Sequence, residues 1–544
     1  MFDANNRLIN IENMTKPTMT FHFAATLATA LTLALTVATP LAAQSAVPKP
    51  DAQAAAVRAW RQQHEEEIVR ELNTLLAIPN QATDSVNIAR NANLLKAMFE
   101  RRGLAAQILV SGPTAPAVYA ELRTPGATRT VVFYAHYDGQ PVVLADWATS
   151  PWQPMLRGAP AANGVLGAVK AGAVNGRFDP EDRIYARSAS DDKGPIVAML
   201  AAIDAIRASG QKPTVNLKFF LEGEEEAGST HLKPMLEKYK TLLAADAWFF
   251  CDGPVHQSRQ QQLLFGVRGV MGLEVTTYGP SRALHSGHYG NWAPNPGMLL
   301  TEIIASIRDS DGKILIDNFY DDVVTPTPSE FAAARAVPPV DEELRRSLLL
   351  GASEAKNAPL AERIMVPALN LHGIKVGQVG SLTTNSIPTE AQASFDFRLV
   401  PNQTPARVRE LVEAHLKARG WQIVHSAPSA DERLKHPRLV RLDWDGGYPA
   451  YRTSMDQPLG QAVRQVISQT MGRDLIVLPT LGGSVGMSGF FDVLQVPLIT
   501  LPIVNHDNGQ HAKDENLRLQ NLWDGIEIIA GVMTKLGTAW NVVP

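Results

Sequence analysis

The chain predicts an α/β fold: a mostly parallel central sheet, interrupted by a smaller inserted α+β (ferredoxin-like) domain. Three observations carry this. Short apolar runs with strand character alternate with helical stretches along both flanks of the sequence. The pattern changes to half-exposed strands and amphipathic helices between residues 268 and 452. At 544 residues, the chain also exceeds the roughly 250–300 residues at which one core stops growing.

Taken in order, residues 23–37 (FAATLATALTLALTV) are apolar and uncharged, and shorter than the roughly 20 residues needed to span a bilayer. A small-residue run over 38–46 follows. Together they predict a signal peptide over 1–43 cut near Ala43, with Met14 or Met19 as the initiator and a periplasmic or secreted product. Helical spacing of Val57, Trp60, Ile68, Leu72 and Leu75 predicts a helix over 54–77, with Glu65-Glu66-Glu67 as a solvated face. A second helix over 87–102 stops at Gly103. Strands are expected at 130–135 (TVVFYA), 214–221 (TVNLKFFL), 247–250 (AWFF) and 496–504 (VPLITLPIV), and helices at 196–208 and 522–536. Within the insertion, strands at 270–278 and 390–399 accompany helices at 294–308 and 405–418. Gly/Ala-rich 158–176 and Pro-rich 321–339 read as loops.

Lys+Arg 50 against Asp+Glu 54 give a net charge of −4 with no long basic run, which argues against nucleic acid or an anionic membrane as the main partner. A hydrophobic fraction of 45% excludes a disordered chain. The lone Cys251 excludes an intrachain disulfide framework. Any metal must therefore be held by His and carboxylate groups.

In open parallel sheets, ligands bind beyond the carboxyl ends of the strands, and there the charged residues collect. His136-Tyr137-Asp138 follows the first of these strands, Glu222-Gly223-Glu224-Glu225-Glu226 the second, Cys251-Asp252-Gly253 the third and Asn505 through His511 the last. Ser190-Asp191-Asp192-Lys193-Gly194 opens the helix at 196. Taken singly, each segment reads as a turn, a helix cap or a solvated run. Together on one sheet edge, so many carboxylates either take up protons or surround cations. Two His with several carboxylates and no thiolate suit Zn²⁺ or a similar ion, and their number points to two ions.

These segments, in order, resemble the signature of the M20 metallopeptidase family, in its carnosinase-like, nonspecific dipeptidase branch. Leu284-His285-Ser286-Gly287-His288-Tyr289-Gly290 and Phe397-Arg398-Leu399-Val400-Pro401-Asn402 extend the likeness across nearly the whole chain after residue 43. The resemblance implies a catalytic domain in two parts (51–267 and 453–544) and a lid and dimerisation domain (268–452). It implies two divalent ions, Zn²⁺ by preference: His136 and Asp252 on one, Glu226 and His511 on the other, Asp191 bridging, with a cis peptide between Asp191 and Asp192. Asp138 would accept a hydrogen bond from the His136 ring, and Glu225 would be the general base. Arg398, Asn385 and Ser484 would contact substrate, and His285 would reach the active site of the partner subunit in a homodimer. The activity implied is hydrolysis of dipeptides, or of C-terminal residues of short peptides with a free carboxylate. The alternatives are an N-acyl amino acid deacylase of the same mechanism and an inactive peptide-binding homologue. Gly139, Ala186, Ser188 and the 158–176 loop depart from the family's usual pattern.

Overall fold

An eight-stranded sheet organises the molecule. Its order is Ala105–Leu109, Ala117–Leu122, Asn216–Glu222, Thr130–His136, Ala247–Phe250, Leu498–Thr500, Gln262–Leu264 and Ile476–Leu478. The computed structural model describes residues 52–113, 115–161, 164–483 and 487–542; the expected signal segment and Ser484 lie outside them. The middle of the sheet is parallel, with Thr130–His136 between Asn216–Glu222 and Ala247–Phe250, and Leu498–Thr500 beyond. The pairings at the Ala105–Leu109 edge are antiparallel.

Thr130–His136 shows why an unbroken apolar run is needed here. Val131, Phe133 and Ala135 enter the core on one face, Val132 and Tyr134 the core on the other. Burying each large apolar side chain contributes roughly 1.5–3 kcal/mol. Lys193–Ala208, Pro458–Met471 and Leu519–Val542 contribute to the first core, with the N-terminal helices around them. Leu232–Lys238 and Met487–Leu494 contribute to the second. No helix among the described residues is long and apolar enough to cross a membrane.

Four sequence expectations are corrected. The helix over 54–77 is two helices, Ala52–Gln63 and Glu65–Leu76. The His64 ring stacks on Trp60 and its Nδ1 bonds the Trp60 carbonyl at 2.8 Å, while the His64 amide turns to Arg61. A side chain has taken the carbonyl that the helix would have used. Glu65 is not solvated: it is buried, and its carboxylate accepts from Arg61, Arg177 and the Phe178 amide. The last strand is only Leu498–Thr500, because Pro497 and Pro502 lack the N–H that a longer ladder requires. The Pro-rich 321–339 segment contains the helix Pro328–Arg335, started by a Thr327/Glu330 capping box.

The insertion is built on a five-stranded sheet, not on two strands, in the order Ala368–Lys375, Glu390–Leu399, Gly269–Tyr278, Leu439–Tyr448 and Gln422–Val424. Met271, Leu273, Val275, Phe395, Phe397 and Leu399 pack on one face against the helices Pro296–Ile307 and Pro405–Ala418. Alternation along the strand puts Asp396 and Arg398 on the other face.

Candidate metal centre

The expected segments converge. His136 ends its strand, Asp252 follows Phe250 by two residues, and Glu225 and Glu226 open a short turn after Asn216–Glu222. Asp191 and Asp192, joined by a cis peptide, precede the helix Lys193–Ala208. His511 lies in the loop after the last strand, in a left-handed conformation with φ of 62°.

Asp191 is the hub. Its Oδ1 lies 2.9 Å from His136 Nε2 and its Oδ2 lies 3.1 Å from His511 Nε2. His511 Nε2 is also 3.2 Å from Glu226 Oε2. Two triads of donor atoms gather here: His136, Asp191 and Glu226, and His136, Asp192 and Asp252. Asp192, which the family likeness did not mark as a ligand, therefore stands in the His136–Asp252 group. Its buried Oδ1 has no hydrogen-bond partner among the described residues.

Asp138 does something the sequence did not indicate. Its carboxylate accepts from the Glu225 amide at 3.1 Å and the Glu226 amide at 3.0 Å, so it sets the turn bearing both glutamates. His136 Nδ1 lies 3.3 Å from Asp138 Oδ1, but its angle falls outside hydrogen-bond geometry. The acidic run divides by environment. Glu222 is buried and accepts from the Tyr134 hydroxyl, and Glu224 pairs with His231. Only Glu225 and Glu226 remain for the cleft, with Gln140 donating to Glu226 at 2.8 Å.

Electrostatics agree with the geometry. Burial, reinforced by neighbouring acids, raises Glu225 and Glu226 to about 7 and Asp252 to about 6. Burial likewise pushes Asp192 well up. Hydrogen bonding to Asp191 raises His511 to about 9. Burial disfavours charge on His136, yet the carboxylates of Asp138 and Asp191 beside its ring outweigh that and its pKa rises. Asp191 is shifted down despite its burial, because both histidines stabilise its charge. The acids outnumber the two histidines among them, and such an excess is the environment that divalent ions neutralise. The donor spacings of 2.9–3.2 Å approach the edge of about 3.3 Å expected for tetrahedral zinc with bonds near 2.0–2.1 Å. Cys251 is buried and points to packing.

The departures from the family pattern fit one another. A Cβ on Gly139 would meet Ser188 Oγ at 2.4 Å. That hydroxyl accepts from Asn80 at 2.9 Å and donates to the Asp138 carbonyl at 3.4 Å. Ala159, Pro160, Ala161 and Gly164 line an open cavity of about 550 Å³ together with Arg183, Asp507 and Lys513.

Not every expected site residue is at the centre. Arg398 is partly exposed and its Nε donates to Asp396 at 2.7 Å. His285 and Asn385 sit elsewhere, on an exposed two-stranded ribbon where the Ser286 amide donates to the Asn385 carbonyl.

The family model of Peptidase family M20/M25/M40 matches residues 132–535. The chain is 27% identical to the Cys-Gly metallodipeptidase dug1 of Schizosaccharomyces pombe over 435 residues, 78% of this chain and 84% of that protein. It is 28% identical to the Beta-Ala-His dipeptidase of Homo sapiens over 438 residues, 78% of each. Among solved structures, the M20 family metallo-carboxypeptidase Sso-CP2 from Sulfolobus solfataricus superposes with a TM-score of 0.66 at 28% identity, covering 87% of this chain and 99% of that one. The matched span starts within the strand that ends in His136 and runs past His511 into the closing helix; the chain belongs to peptidase family M20/M25/M40.

Proposed function

We propose that this protein is an exported, di-zinc metallopeptidase that hydrolyses dipeptides or removes C-terminal residues from short peptides, and that it works as a homodimer. The observation that carries the reading is the pair of donor triads that share His136, one with Asp191 and Glu226 and the other with Asp192 and Asp252, with Glu225 on a turn that Asp138 holds. His136 and Asp252, and Glu226 and His511, would hold the two ions with Asp191 between. Asp192 would lie next to the first pair. Two bound divalent ions supply polarisation of the scissile carbonyl and an acidified water. Glu225, its amide held by Asp138, would serve as the general base: its carboxylate takes the proton from water and returns it to the leaving amine.

Arg398 would grip the substrate carboxylate through its planar fork. His285 and Asn385 are held on the exposed ribbon and would serve the partner's cleft. The edge strand Ala368–Lys375, with Leu371 and Ile374 exposed, supports pairing through the inserted domain. Export rests on the apolar 23–37 segment, and N-terminal sequencing of the mature protein would find a start near Gln44.

The direct test is a panel of dipeptides, C-terminally blocked dipeptides and N-acyl amino acids on metal-replete protein. Turnover of free dipeptides and loss of turnover on blocking are expected; exclusive turnover of the acylated set would replace this reading with a deacylase. Elemental analysis should give about two metal equivalents per chain.

A further inference from the structure

The described residues include one carboxylate that the chemistry above leaves unused and that lies wholly inside the protein. Glu515 is 0% exposed. Its Oε1 accepts from the Ser190 amide at 3.0 Å and the Asp191 amide at 2.9 Å. Its Oε2 accepts from the Ser188 amide at 2.9 Å and Arg187 Nη1 at 2.9 Å. Four donors, two on each oxygen, account for the in-plane acceptor capacity of a carboxylate. Three of them are backbone amides of the segment 188–191 that presents Asp191. Glu515 also belongs to the loop of His511: its neighbour Asn516 donates from its backbone to the Asn508 carbonyl at 2.7 Å, closing the loop that holds His511. Ser190 Oγ in turn donates to the Asn516 carbonyl at 2.8 Å.

We infer that Glu515 is a positioning residue for the metal pair, a buried clasp that sets the bridging Asp191 against His511 by binding the backbone of one ligand loop from the base of the other. The inference rests on the di-metal reading above. A side chain that only stabilised the fold would have no reason to spend both oxygens on the loop of the bridging ligand. Outer partners of this kind typically change metal affinity by 10–100-fold when altered.

Glu515→Gln is nearly isosteric but points an NH₂ group at two donors. Its Zn²⁺ affinity, measured by competition with a chromophoric chelator, should fall 10–100-fold relative to the wild type, and kcat should fall more than KM rises. Glu515→Asp keeps the charge and draws the oxygens back by one methylene, so it should recover part of the affinity. Circular dichroism and melting of both metal-free variants report folding separately. If Glu515→Gln does not fold, Glu515→Asp carries the test: weakened Zn²⁺ binding by a folded variant supports the inference. Wild-type Zn²⁺ affinity in either folded variant would overturn it, even with a lowered melting temperature. Absence of Zn²⁺ binding by the wild-type chain would overturn the di-metal reading as well.

Discussion

At the scale of single residues, Glu225 and Glu226 share a turn, an acidic neighbourhood and a pKa near 7, yet only Glu226 lies within reach of His511. Glu225→Gln should therefore lower kcat by about 10²–10⁴-fold while two metal equivalents are retained, checked by steady-state kinetics beside elemental analysis. The same pKa values set a stability profile. Between its unfolded value and its raised folded value, a carboxyl binds more protons folded than unfolded, so stability declines with rising pH across that interval. For Glu225, Glu226 and Asp252 there is no penalty below about pH 4 and a full one above about 7. His511 acts in the same direction, its stabilisation complete below 6.5 and lost as pH rises through about 9. The metal-free chain should thus melt at progressively lower temperature from pH 5 to pH 8, and added Zn²⁺ should remove most of the decline. A flat metal-free profile would contradict this account.

At the scale of elements, the helix Lys193–Ala208 is seated by its first turn. Lys193 is buried, and its Nζ donates to the Leu75 carbonyl at 2.9 Å and the Ile78 carbonyl at 3.1 Å. A Cβ on Gly194 would meet the Ala189 carbonyl oxygen at 2.5 Å and Leu517 Cδ2 at 2.8 Å. Gly194→Ala should therefore displace the loop of Asp191 and cost about 1–3 kcal/mol, read by denaturant unfolding, with metal affinity falling in parallel. Much of this architecture was legible in the sequence, since apolar runs ending in charge mark strands whose tips carry chemistry. The segments bearing His136, Glu225, Glu226, Asp252 and His511 stood out that way, Asp191 stood out at a helix start, and the family resemblance then singled out the individual residues. Glu515 was not, because an acid between Asp514 and Asn516 reads as surface and its donors are backbone groups more than 300 residues earlier in the chain. Ala368–Lys375 was missed because it is mostly exposed and has no alternating face to betray it. The helix Pro328–Arg335 did have a signal, the Thr327/Glu330 cap with Pro at the first turn, which the surrounding prolines obscured.

At the scale of the whole molecule, the proposed homodimer, with His285 and Asn385 on an exposed ribbon, predicts that each cleft would depend on the other subunit. Glu225→Gln and His285→Ala, each inactive alone, should recover activity when unfolded and refolded together, because mixed dimers join one intact cleft to one intact ribbon. Random reassortment gives about a quarter of the wild-type sites; no recovery, with mixed dimers verified by differential tagging, would exclude a donated His285. A final consequence follows from where the centre's parts lie along the chain. His136 comes early and His511 within the last 34 residues, with the entire inserted domain between. During synthesis the chain therefore emerges with one part of its centre and can acquire the other only after the entire inserted domain has been made. A chain that stops within the inserted domain would carry His136 without His511, and so only part of the proposed metal centre.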